Sequence, residues 1–235
     1  MHAPVRLLTV LTLALATAGC AGSDSPTVTT PAASPTTAAS ATTTPSVTAT
    51  ATATAEPAAP QYRQLSKKAL NKALLTLDDM PNGYADTTTK DDLVDDADTF
   101  CHYKRPFTNK TYVTATFTKG SGFTAELIAP SIRQYADAAQ AKTSMTKLVT
   151  VLKTCKKFTS DGQKLTVARV KADPVGDLSV AVRLEGDGFT LLQGYALVGP
   201  SMISVGTGGI TSVDSDVVAP LLEEQVDRYM QAART

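Results

Sequence analysis

Residues 178–206 read LSVAVRLEGDGFTLLQGYALVGPSMISVG, and this stretch decides the fold. Three runs rich in aliphatic and β-branched residues, Leu178–Glu185, Phe189–Val198 and Met202–Gly206, are separated only by Gly186-Asp187-Gly188 and Gly199-Pro200-Ser201. Glycine supplies the positive φ that tight turns need, so both connections read as hairpin turns. Leu165–Lys171 adds a fourth strand-like run just upstream. Working outward, Val113, Ala115 and Phe117 alternate with Tyr112, Thr114, Thr116 and Thr118, the period of a half-buried strand. Gly120-Ser121-Gly122 reads as a turn, and Phe123, Ala125 and Leu127 begin a return strand that resumes at Ile132–Tyr135. Pro130 within it predicts an edge or a bulge, because proline cannot donate to a ladder.

Helical spacing lies between and around these strands. Asp137 is an N-cap with Gln140 three residues on, and Ala138, Ala141, Met145, Leu148, Val149, Leu152 and Cys155 then recur on one stripe. Near the C-terminus, Val218, Leu221, Leu222, Gln225, Val226 and Tyr229 share a face, with Pro220 near the helix start where it is tolerated. A shorter pattern over Leu65, Ala69 and Ala73 is stopped by Pro81-Asn82-Gly83, and Thr76 and Asp79 have capping-box spacing. Strands cluster in hairpins and helices are segregated. The expected class is α+β: a mainly antiparallel sheet of about six strands with two principal helices packed on it.

Residues 1–60 have a different character. Arg6 precedes an apolar run, Leu7 to Ala18, broken only by threonines and closed by Thr17-Ala18-Gly19-Cys20. The run is short for a membrane span. It resembles a bacterial lipoprotein signal peptide with its lipobox, which implies cleavage after residue 19 and acylation, such as palmitate, on Cys20. A plain secretory signal is the alternative. Residues 21–60 are almost wholly Ala, Thr, Ser and Pro, with no Phe, Tyr, Leu or Ile. Such a stretch cannot bury enough apolar surface to offset its chain entropy. It reads as a tether reaching ~130 Å at full stretch. The expected organisation is a signal peptide over 1–19, a lipidated cysteine and tether over 20–60, and a single domain over 61–235.

Composition narrows the function classes. The 235 residues carry 22 Lys and Arg against 22 Asp and Glu. Without a basic excess, a nucleic-acid partner is not expected. Of the two histidines only His102 falls in the domain, and there is no G-x-S-x-G elbow. A zinc enzyme needs about three protein ligands, which only carboxylates could supply here. The run Asp91, Asp92, Asp95, Asp96 and Asp98 fits no register of an EF-hand loop and reads as a solvated acidic loop. Gly206-Thr207-Gly208-Gly209 has Thr211 at the third glycine of a dinucleotide fingerprint and no βαβ unit around it, so it reads as a flexible connection. Neither a cofactor nor a metal is expected, and the chain is expected not to be an enzyme. Cys101 and Cys155 form an even pair in an exported domain and read as a disulfide. The alternative is a nucleophilic Cys101 activated by His102, although adjacent residues on an extended chain point to opposite sides.

Several segments look familiar together. They are Leu74-Leu75-Thr76-Leu77-Asp78-Asp79-Met80-Pro81-Asn82-Gly83-Tyr84, then Cys101, then a helix ending in Cys155-Lys156-Lys157-Phe158, then Val175-Gly176-Asp177-Leu178-Ser179-Val180-Ala181-Val182-Arg183. In that order they resemble the PknH-type sensor domain, found outside the membrane of actinobacteria on Ser/Thr kinases and in free-standing lipoproteins. The resemblance spans about residues 74–232 and implies an α+β sheet with a ligand cleft, but no ligand set. The expectation is a lipid-anchored cell-membrane lipoprotein, extracytoplasmic, with a sensor-like or ligand-binding domain. Its expected partners are the membrane and an unknown small molecule, lipid or envelope protein. A carrier of apolar envelope ligands, marked by a large apolar cavity, and an envelope hydrolase are the alternatives. The expected binding surface is the exposed sheet face, bounded by the Lys119–Gly122 and Gly206–Ser212 loops.

Overall fold

A computed structural model of the chain describes residues 61–90, 100–160, 162–210, 213 and 216–234. Cys20, the 20–60 tether, the acidic run Asp91–Asp98, Thr211 and Ser212 lie outside the described residues.

Nine strands form one antiparallel sheet: β1 Tyr84–Asp86, β2 Thr111–Thr114, β3 Phe117–Lys119, β4 Glu126–Gln134, β5 Lys157–Ser160, β6 Gln163–Val170, β7 Leu178–Gly186, β8 Phe189–Val198 and β9 Ser201–Gly209. Their order is β1-β3-β4-β9-β8-β7-β6-β5, with β2 also on β4. The helices are α1 Lys67–Ala73, α2 Ala138–Thr154 and α3 Val218–Ala233. The class is α+β as expected, but among the described residues the sheet has nine strands rather than about six, and the short α1 stands beside the two principal helices. β7 and β8 close on the two-residue loop Asp187-Gly188, and β8 and β9 on Gly199-Pro200, with φ at +82° for Gly188 and +50° for Gly199.

Pro130 accounts for one of the added strands. β2 and β3 lie on β4 in a single register, Thr114 opposite Ser131 and Phe117 opposite Ile128. The Ala115 N–H donates to the Pro130 carbonyl at 3.2 Å, yet proline has no N–H to return that bond. The ladder lapses there, and one alternating run becomes two strands. The expectation of an edge or bulge at Pro130 is corrected: β4 is continuous and interior, between β3 and β9. It tolerates the proline because the missing donor faces the break while its pairing with β9 runs unbroken over nine residue pairs.

Strand alternation divides the core in two. Ile128, Ile132, Ala196, Val198, Ile203 and Val205 point to the face covered by α1 and α3, meeting Leu70, Leu222, Val226 and Tyr229. Val180, Val182, Leu184, Leu197 and Met202 point to the other face, where α2 brings Ala141, Met145, Leu148 and Leu152. The Asp137 carboxylate caps α2 by accepting from the Gln140 N–H at 2.8 Å.

The segment before the sheet is held by two buried amides. The Gln134 side chain accepts from the Leu65 N–H and donates to the Leu65 carbonyl, both at 2.8 Å. Gln225 on α3 accepts from the Leu75 N–H at 2.9 Å and donates to the Ala73 carbonyl at 2.6 Å. Backbone groups beside and at the end of α1 are thereby satisfied in the interior. Asp79 accepts from the Thr76 N–H at 2.7 Å to complete a capping box, and it also pairs with Arg228 of α3. At the start of the domain Tyr62 bridges to Arg234, and the Arg63 N–H donates to the Ala233 carbonyl at 2.9 Å.

Candidate functional site

On the α2 face, side chains of β2, β4, β9 and β8 floor a cleft of about 260 Å³, with Leu148 of α2 as one wall. Cross-strand register brings the floor together. Tyr112 lies opposite Arg133, and Thr114 opposite Ser131. Ser131 lies opposite Ser204, which lies opposite Tyr195, while Gly206 separates Ala129 from Gln193. These residues sit at the parity that elsewhere on this face is aliphatic. They are small or polar instead, so the floor is recessed and can form hydrogen bonds. A Cβ on Gly206 would come within 2.9 Å of the Gln193 Oε1, so glycine there leaves the amide its place.

A further wall is Phe100, Tyr103 and Arg105. It is fixed twice to α2. Cys101 is joined to Cys155 at the end of α2, with the Cα atoms 6.1 Å apart. The Tyr103 hydroxyl donates to the Ser144 carbonyl in mid-helix at 2.9 Å. Cys101 and His102 both adopt left-handed backbone, φ +60° and +57°, which non-glycine residues seldom occupy. The Cys101 sulfur is bonded rather than available as a thiolate, and exposed His102 sits edge-on to Phe158 with centroids 6.2 Å apart. This geometry corrects the alternative of a His102-activated nucleophile.

Within the cleft the Ser131 and Ser204 hydroxyls are 2.8 Å apart. Arg133 donates to the Ser131 hydroxyl at 3.3 Å and lies over the Tyr112 ring, 4.6 Å from its centroid. The stack fixes the direction of a long side chain. Burial pushes the Tyr195 phenol well above its usual range, against the opposing charges of Arg133 and Arg105. Tyr103 is raised as well, by burial first and by Tyr135, with Arg105 and Arg133 opposing. Both phenols therefore stay neutral donors across ordinary pH. Among the described residues, no three His, Cys, Asp or Glu side chains converge to hold a metal, and no helix is long and apolar enough to cross a membrane.

Two expectations are corrected here. Gly206–Gly209 is not a flexible connection but the end of β9, an interior strand between β4 and β8. The sheet face expected to be exposed between Lys119–Gly122 and Gly206–Ser212 is largely covered at β8 and β9. Central β8 and β9 are largely buried on both faces, so the sheet offers no broad exposed surface there. Arg133, Gln193, Tyr195, Ser131 and Ser204 are the site residues that motif reading passes over. Their signal is a polar side chain at core parity inside an otherwise apolar strand.

No protein-family model matches the chain, and no curated protein sequence matches it. Among solved structures the chain is similar to the extracellular domain of PknH from Mycobacterium tuberculosis, with a TM-score of 0.51 and 12% identity over 73% of this chain and 100% of that one. It is also similar to an uncharacterised protein of Mycobacterium smegmatis, with a TM-score of 0.34 and 15% identity over 49% of this chain and 63% of that one. The PknH comparison shows the fold, in agreement with the resemblance carried by the sequence segments.

Proposed function

We propose that the chain is an extracytoplasmic, membrane-anchored lipoprotein whose folded domain is a sensor-type module, taking a small polar ligand in the cleft beside α2. The observation that carries this reading is the cleft itself: about 260 Å³, floored by hydroxyls, an amide and small residues, and flanked by Arg105 and Arg133. A small recess of mixed polar and apolar lining favours a sensor over a carrier, which would need a large apolar cavity. The fold shared with an extracellular domain supports an extracytoplasmic address, and so does a cystine in the domain.

Native mass spectrometry of protein taken from its own host tests the binding half. A small polar molecule that co-purifies and is lost in Arg133→Gln supports the sensor. A co-purifying lipid supports the carrier, and a polar molecule retained in both Arg133→Gln and Gln193→Leu would place its site outside the cleft. The anchor is tested separately. In Cys20→Ala the protein is expected to leave the membrane fraction for the medium, or to accumulate as uncut precursor. Normal processing and continued membrane association in that variant would show that Cys20 is not the anchor.

A further inference from the structure

We infer that the cleft takes a compact, neutral ligand whose hydroxyl or amide groups pair with Gln193 and Tyr195, the chemistry of a single sugar ring. The inference rests on the cleft being the binding site proposed above. Gln193 and Tyr195 are two residues apart on β8, so their side chains share the cleft face. Most other polar groups there are already engaged. Ser131 and Ser204 bond each other, Arg133 holds Ser131 and stacks on Tyr112, and Tyr103 reaches the Ser144 carbonyl.

The Tyr195 hydroxyl and the Gln193 amide have no hydrogen-bond partner among the described residues, although Tyr195 is only 6% exposed. Neither group is a buried orphan, since the Ser144 hydroxyl alone has that standing among the described residues; both open onto the cleft, and both are neutral. The amide offers two donors and an acceptor, and the phenol one donor and an acceptor. A ring carrying several hydroxyls, or an acetamido group, matches both at once. Apolar surface for the flat face of such a ring comes from Phe100 and Tyr195, packed edge to face with centroids 6.4 Å apart. The volume of about 260 Å³ falls below the roughly 300–1,000 Å³ of sites for drug-sized ligands, which points to one ring.

The test is calorimetric titration of the full chain with glucose and N-acetylglucosamine as neutral probes, and with inorganic phosphate and malonate as anionic ones. At least one neutral probe is expected to bind saturably, with Tyr195→Phe and Gln193→Leu each weakening it about tenfold. Tyr195→Phe should leave the unfolding midpoint unchanged or raise it, because it removes a hydroxyl that no described group satisfies. Binding of phosphate or malonate alone, weakened by Arg133→Gln and indifferent to Tyr195→Phe, would overturn the neutral-ring assignment and leave the cleft as the site. A neutral probe whose binding ignores all three substitutions would overturn both. Failure of all four probes to bind at millimolar concentration would overturn the ring assignment.

Discussion

Replacing Cys101 and Cys155 together by serine is expected to destabilise the domain by about 4 kcal/mol, from the chain entropy released when a loop with a sequence separation of 54 is no longer closed. For a domain of this size that corresponds to a fall of about 10 °C in the unfolding midpoint. The effect is large because the cross-link is long-range. It joins the segment before β2 to the end of α2. Scanning calorimetry of the oxidised protein, the protein under reductant and the double variant checks it. The reduced wild type should fall to the midpoint of the variant. Coincident midpoints for all three would show that the cystine adds nothing. A local consequence accompanies the global one: Phe100–Tyr103 loses one of its two attachments to α2, so any ligand affinity of the cleft should fall with the disulfide.

Gln225→Leu is expected to cost about 3 kcal/mol. The side chain is fully buried, and it satisfies the Leu75 N–H and the Ala73 carbonyl, whose residues are 2% and 3% exposed. Leucine keeps most of the volume and removes both bonds. Two backbone groups are then left in the interior where water cannot replace the lost partner, and each such orphan costs roughly 1–3 kcal/mol. Urea unfolding measures the total. Native-state hydrogen exchange supplies the local signature, because the Leu75 amide should lose protection far more than amides in β8. An unchanged denaturation midpoint would mean that the 65–75 segment finds other partners.

The hairpin core was legible because its signals are local. Asp187-Gly188 and Gly199-Pro200 each sit between strands whose composition already marks them, and the N-cap at Asp137 announces α2. The short strands were not. Tyr84-Ala85-Asp86 and Lys157-Phe158-Thr159-Ser160 offer no alternation long enough to register, and they become strands only because a neighbouring edge lends them partners. Gly206–Gly209 was opaque for a different reason. Glycine usually marks a turn, whereas here it thins an interior strand so that the side chains of β8 have room. The cleft was legible only as a polar irregularity. Ser131, Arg133, Gln193 and Ser204 each stand at core parity, but their meeting depends on the pairing of β4 with β9 and of β9 with β8, a non-local fact. The cysteine pair could be proposed from compartment and count, but its role as the fastening of a cleft wall could not.

The bridge between Tyr62 and Arg234 makes the folded chain nearly a closed ring. Where the chain enters and leaves the domain is then a matter of wiring rather than of architecture. A short linker could join the two ends and new termini could be opened at the Asp187-Gly188 turn, and every layer would keep its neighbours. By the same geometry, a reporter fused behind Arg234 emerges beside the point where residue 61 leads into the domain. A linker entering at Tyr62 and a tag leaving at Arg234 would meet the domain at one and the same place.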